Sequence, residues 1–172
     1  MAGILRSCGA WNVDSVITYL IVATGDLCDK VFAVIQNTIR DRNYRITIHK
    51  CESIADIIRV KPDLHVDFVI FAFDGRINHS VNEVEKNINL LDEFFIISGR
   101  ICLVNCYGLP NTMGLMCHSA DRLREKYCLR LLSANVYSPQ GLENLGKRIL
   151  YLSEALMGIH SGVPDLNMLT AI

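Results

Sequence analysis

Residues 17–35 read ITYLIVATGDLCDKVFAVI. Ile17 and Tyr19 to Ala23 make a continuous apolar run, as a strand covered on both faces requires, and Thr24-Gly25-Asp26 breaks it. Leu27, Val31, Ile35 and Ile39 then recur at every fourth position, which places them on one face of a helix. The unit is a strand, a tight turn and an amphipathic helix. Only a few residues separate this helix, which fades near Asp41-Arg42-Asn43, from the alternating strand RITIHKC at 45–51. A helical crossover leading straight into a strand implies parallel pairing beside the first strand, with a right-handed connection.

The alternation continues along the chain. Residues 53–60 form a short helix stopped by Lys61-Pro62. VDFVIFAF at 66–73 is a central strand ended by Asp74-Gly75. Ser80 and Glu83 read as a capping box, followed by the stripe Val81, Val84, Ile88 and Leu91, with Asn82, Glu85, Lys86 and Asn89 opposite. Phe94-Phe95-Ile96-Ile97 lies outside that helix and either folds under the next strand or forms an apolar surface. ICLVNC at 101–106 is a further strand, Gly108 to Asn111 a loop, and Met116, Ala120, Leu123 and Tyr127 one face of a helix. After a last strand at 129–134, Ser138-Pro139 opens a helix whose stripe is Leu142, Leu145, Ile149, Leu152 and Leu156, with Gly158 as its stop. Strand and helix in alternation predict an α/β fold in three layers, a mostly parallel sheet of about five strands between helices.

The chain has 172 residues, enough for one domain with a real core. Its hydrophobic share of 51% excludes a disordered polymer, and its net charge of −1 gives no global pull toward nucleic acid or anionic membrane. Seven irregularly spaced cysteines, an odd number, suit a reducing compartment. No apolar run approaches the ~20 residues a bilayer span needs, and the N-terminus lacks a targeting pattern. The expectation is a soluble intracellular protein with a leader at 1–15, a domain at 16–158 and an apolar tail at 159–172. Ile4, Leu5, Trp11 and Val13 of the leader pack on the domain, or Trp11 serves as an exposed anchor.

The turn after the first strand is where a phosphate-binding loop would carry G-x-x-x-x-G-K-[ST]. Ala23 stands at the first glycine, and Cys28-Asp29-Lys30 replace Gly-Lys-Ser/Thr. Such a loop turns bare N–H groups to the phosphates, with a lysine and a magnesium-holding hydroxyl in support. A carboxylate at Asp29, ~4 Å from a phosphate oxygen, would oppose binding by about 1–4 kcal/mol per charge depending on the dielectric. Lys30 comes one position late, and the frame with Gly25 lacks its chemistry.

Cys102, Cys106, Cys117-His118 and Cys128 contain no C-x-x-C pair. Cys102 and Cys106 share one strand face but stand ~13 Å apart, so they read as core rather than as metal ligands. Cys28, near a helix N-terminus, is a candidate for a lowered thiol pKa. No histidine shares a spacing with a nucleophile, which excludes recognisable nucleophilic catalysis. Arg122, Arg124, Lys126 and Arg130, with Lys147 and Arg148, offer a basic patch, though Asp121 and Glu125 interrupt it as on a solvated helix face.

From Ile17 to Leu152 the order of elements resembles the Ras-like small GTPases. Phe68–Ile88 (FVIFAFDGRINHSVNEVEKNI) is similar to their fourth strand and following helix, Cys102–Leu109 (CLVNCYGL) holds the place of N-K-x-D, and Ser133-Ala134-Asn135 that of S-A-K. Asn105 matches the motif asparagine, but no aspartate follows it, Asn135 replaces the lysine, and no D-x-x-G follows the second strand. The interval between the first helix and second strand is too short for a switch loop and its antiparallel strand. Residues 66–104, with LLDEFFIISGRICLV, and the tail GVPDLNML at 162–169 resemble more closely the centromere protein M family, small-GTPase-like subunits of the inner kinetochore that bind no nucleotide.

That resemblance implies a non-catalytic subunit of the constitutive centromere-associated complex in the nucleus. It would stabilise a helical-repeat partner resembling centromere protein I, beside centromere proteins H and K, for kinetochore assembly and chromosome segregation in mitosis. It implies no nucleotide, metal or other cofactor. Leu166, Met168 and Leu169 of the tail, with Phe94 and Phe95, are the candidate partner-binding residues. The tail either docks back on the domain or enters a partner's groove. The competing reading is an atypical GTP-binding protein that uses Gly25 and Lys30 in an unusual register.

Overall fold

The computed structural model describes residues 16–40, 42, 44–107 and 117–159. The elements run β1 (Ile17–Val22), α1 (Gly25–Ile39), β2 (Ile46–Cys51), α2 (Ile54–Val60), β3 (Phe68–Phe73), α3 (Asn78–Ile88), α4 (Glu93–Ile97), β4 (Ile101–Asn105), α5 (Cys117–Tyr127), β5 (Arg130–Ser133) and α6 (Pro139–Met157). The described strands make one sheet in the order β2-β1-β3-β4-β5, with every neighbouring pair parallel. The fold is α/β in three layers and consistent with a Ras-like architecture, with no antiparallel strand among the described residues. The same strand order is found in doubly wound flavodoxin-like sheets.

Right-handed crossovers place the helices. The chain leaves β1 in one direction to reach β2, then reverses past β1 to reach β3, so the connecting helices fall on opposite faces. Period-two alternation matches this division. Ile17, Tyr19, Ile21, Phe68, Ile70, Cys102 and Val104 pack with α1 and α6. Leu20, Val22, Val69, Phe71, Phe73, Ile101 and Leu103 pack with α2 to α5. The described residues of the expected stripes are buried in both layers except Ile39, Tyr127 and Leu142, which are half-buried, and α6 ends at Gly158 with φ 68°, the left-handed stop that glycine allows.

Three details differ from the sequence reading. The helix after β3 starts at Asn78, two residues before the expected cap, so Ser80 is inside it and forms no capping box. Asp74 is responsible: its carboxylate accepts the Arg76 N–H at 3.0 Å and its carbonyl the Ile77 N–H at 3.0 Å, which closes the turn early. Phe94–Ile97 belongs to a separate short helix, α4, capped by the Asp92 carboxylate on the Phe94 N–H. The basic residues also split: Arg124 pairs with Asp121 and Glu125, and Lys126 with Glu85, whereas Arg130, Lys147 and Arg148 lie at another edge. Met116, the loop at 108–111, the leader and the tail beyond Ile159, with Leu166, Met168 and Leu169, lie outside the described residues.

No described helix is long and apolar enough to cross a membrane.

Candidate functional site at the carboxyl edge of the sheet

In open α/β sheets the crevice opens where neighbouring strands send their connections to opposite faces. Here that point is the C-terminal ends of β1 and β3, and a cavity of about 410 Å³ lies there, between Ala23-Thr24, Glu52, Asp74, Glu83 and Tyr107. It is the position a nucleotide-binding fold would use.

The degenerate phosphate motif sits at its margin, and the geometry explains each departure. β1 ends at Val22 and α1 begins at Gly25, so only Ala23 and Thr24 connect them. No length of chain remains to wrap a phosphate. The Cys28 N–H, at the motif's second glycine, is already spent on the Thr24 carbonyl at 3.0 Å. The Gly25 N–H donates to Glu52 Oε1 at 3.2 Å, so a carboxylate of this chain takes the anion position at the helix N-terminus. Asp29 pairs with Lys50 at 2.8 Å, and Lys30 with Asp26 at 3.1 Å. Both charges therefore face neighbours rather than the cavity.

The other motif positions have structural roles. Asn105 Oδ1 accepts the Gly75 N–H at 3.1 Å and the Tyr107 N–H at 3.3 Å, tying the β3 turn to the end of β4. Asn135 Oδ1 accepts the Tyr137 N–H at 2.9 Å, an Asx turn that leads into the Ser138 cap of α6. Sequence reading missed what these turns support. Tyr107 and Tyr137 stand 5.9 Å apart between centroids, the Arg76 guanidinium lies 3.2 Å from the Tyr107 ring, and Lys30 Nζ is 5.0 Å from the Tyr137 ring. Of these four side chains the two tyrosines line the cavity, and the cations lie behind them. A sequence signal existed in two tyrosines, each two residues beyond an asparagine that ends or follows a strand.

The electrostatics are unsuited to an anion. Asp26, Glu52, Asp74 and Glu83 line the cavity, and no lysine or arginine does among the described residues. The Arg76 guanidinium, bonded to both Asp74 oxygens, holds that carboxyl below the usual carboxylate range. A depressed carboxyl pKa adds stability above its unfolded value and loses it as pH falls through the folded one. Wild type is expected to melt above Asp74→Asn near neutrality, with the gap closing below about pH 4 in thermal scans. A gap independent of pH would show that the ion pair is not its source.

The thiols follow burial instead of the helix dipole. Cys28 has its pKa raised by desolvation, which corrects the expectation of a lowered value. Burial pushes Cys102 and Cys106 up to about 12, consistent with inert core thiols.

The candidate partner residues divide sharply. Phe95 is wholly buried under β3 and β4 and offers no surface, which removes it from the expected set. Phe94 is 43% exposed, with the Arg100 guanidinium 5.2 Å from its ring, and Ile97 is 76% exposed. The helical turn explains the division, since adjacent residues cannot face the same way.

No protein-family model matches the sequence, and a search of curated proteins finds no matching relative. Fold and site define a class, a parallel α/β domain compatible with small GTPases, in which a carboxylate of the chain bonds the first helical N–H and carboxylates line the cavity at that edge.

Proposed function

We propose that this protein is a non-catalytic structural subunit of the inner kinetochore, a pseudo-GTPase of the centromere protein M kind. It binds no nucleotide and stabilises a helical-repeat partner resembling centromere protein I, alongside centromere proteins H and K. The observation that carries the non-catalytic part is the two-residue link from β1 to α1, with Glu52 on the first helical N–H. The atypical GTPase reading needs Gly25 and Lys30, and both are occupied by carboxylates, from Glu52 and Asp26. The partner-binding part is supported by the exposed apolar face of α4 at Phe94 and Ile97.

Two measurements test the reading. Calorimetric titration with GTP or GDP in magnesium is expected to give no heat at millimolar nucleotide, and micromolar binding would overturn it. Ile97→Glu is expected to abolish co-purification with centromere proteins I, H and K while leaving the melting temperature unchanged, because that side chain is exposed. Leu166→Glu is the companion variant for the tail. Full retention of the partners by both variants would place the binding surface elsewhere.

A further inference from the structure

A second concave surface lies in the opposite helical layer, along the open margin of the sheet. β5 is an edge strand, and α6 runs beside it. Between them is a groove of about 520 Å³ whose walls are Arg42, Arg130, Lys147 and Arg148. Leu132, Leu152 and Tyr151 complete it, and Tyr151 is 63% exposed. Among the described residues no carboxylate lines it. In a chain of net charge −1, four cations on one groove are a local departure from the average.

The cations are held in place. Arg42 is ion-paired with Glu154 and donates from Nη2 to Oε2 at 3.3 Å, Lys147 bonds Glu143 at 2.6 Å, and Arg148 Nη1 donates to the Ser133 carbonyl at 3.2 Å. A guanidinium has five donors, so Arg42 and Arg148 keep donors beyond these bonds. Anchored guanidiniums and an exposed tyrosine over an apolar floor are the composition of an interaction hot spot, where little side-chain entropy is lost on binding.

We infer that this groove docks an acidic segment of a partner protein, one that carries an apolar side chain between carboxylates. The carboxylates meet the arginines, and the apolar residue covers Leu132 and Leu152 beside the Tyr151 ring. A nucleic acid suits it less well. Its phosphates would meet the rim and leave the leucine floor uncovered. The groove belongs to the α1–α6 layer and α4 to the other, so the inference is independent of the centromere reading.

The test uses the full chain and a fluorescent peptide of alternating Asp and Glu around a central Leu-Phe pair, followed by polarisation at low salt. Expected is saturable binding that weakens with added salt and falls about tenfold or more in Arg148→Glu and in Tyr151→Ala, at unchanged melting temperature. Three results would overturn the proposal: no saturable binding, equal binding of the peptide with Asn and Gln in place of its acids, or full affinity in both variants. A DNA duplex that binds more tightly than the peptide and is lost in Arg148→Glu would reassign the groove to nucleic acid.

Discussion

Glu154→Ala is expected to lower the stability by about 3 kcal/mol, and the melting temperature by roughly 6–12 °C, in a calorimetric scan. Glu154 is only 3% exposed, on the face of α6 that meets the segment between α1 and β2. Its Oε1 lies 2.7 Å from Arg42 Nε and accepts the Tyr44 hydroxyl, and its Oε2 accepts Arg42 Nη2 at 3.3 Å. Removing one partner of a buried pair leaves the other charge and a donor without compensation, and this outweighs the loss of the contact itself. Arg42 is a third exposed, which keeps the effect at the lower end of the range for buried pairs. Replacing Glu154, Arg42 and Tyr44 together by Leu, Leu and Phe is expected to recover much of the loss. A single variant within about 0.5 kcal/mol of wild type would show that water already reaches the pair.

The second large effect is expected at Gly141, in the first turn of α6. A methyl group there would lie 2.3 Å from the Asn135 carbonyl oxygen and 2.7 Å from Ser138 Oγ. The oxygen is backbone and the hydroxyl accepts the Gly141 N–H at 3.0 Å, so neither yields cheaply. Gly141→Ala is expected to cost about 2–3 kcal/mol in urea unfolding, against about 1 kcal/mol for the cap variant Ser138→Ala. The damage extends beyond the helix end. Asn135 also holds the Tyr137 N–H, and Tyr137 faces Tyr107 and Lys30 across the cavity. A neutral Gly141→Ala would mean that this turn is soft and that the stack is held by other contacts.

Both sites illustrate what escaped the sequence. Glu154 follows the buried Ser153 and lies outside the stripe of Leu142 to Leu156, so on the sequence it reads as a solvent residue. It is buried because the end of α6 is covered from a second side, where Leu150 and Met157 are also buried. Gly146 was equally silent. A Cβ there would lie 2.4 Å from Thr38 Oγ1, which marks the close approach of α1 and α6. Phe94 and Phe95 share one role on the sequence because dense apolar residues are visible there but the rotation of a five-residue helix is not. The expected capping box at Ser80 failed for a related reason, since the Asp74 turn closes the chain before Ser80 is reached.

The sequence by itself determined the order of elements, the parallel sheet and the burial of its stripes. These depend on local periodicity, crossover length and the handedness of the chain, all of which are written residue by residue. It also showed that Asp29 and Lys30 replace the chemistry of a phosphate loop. Only the tertiary structure decided what fills that place. Glu52 comes from the end of β2, Arg76 from beyond β3, Tyr107 from beyond β4 and Tyr137 from before α6, and only the assembled sheet brings their loops to one edge. The physical reason is separation: the contacts join residues tens of positions apart, and no local pattern encodes which loop ends meet.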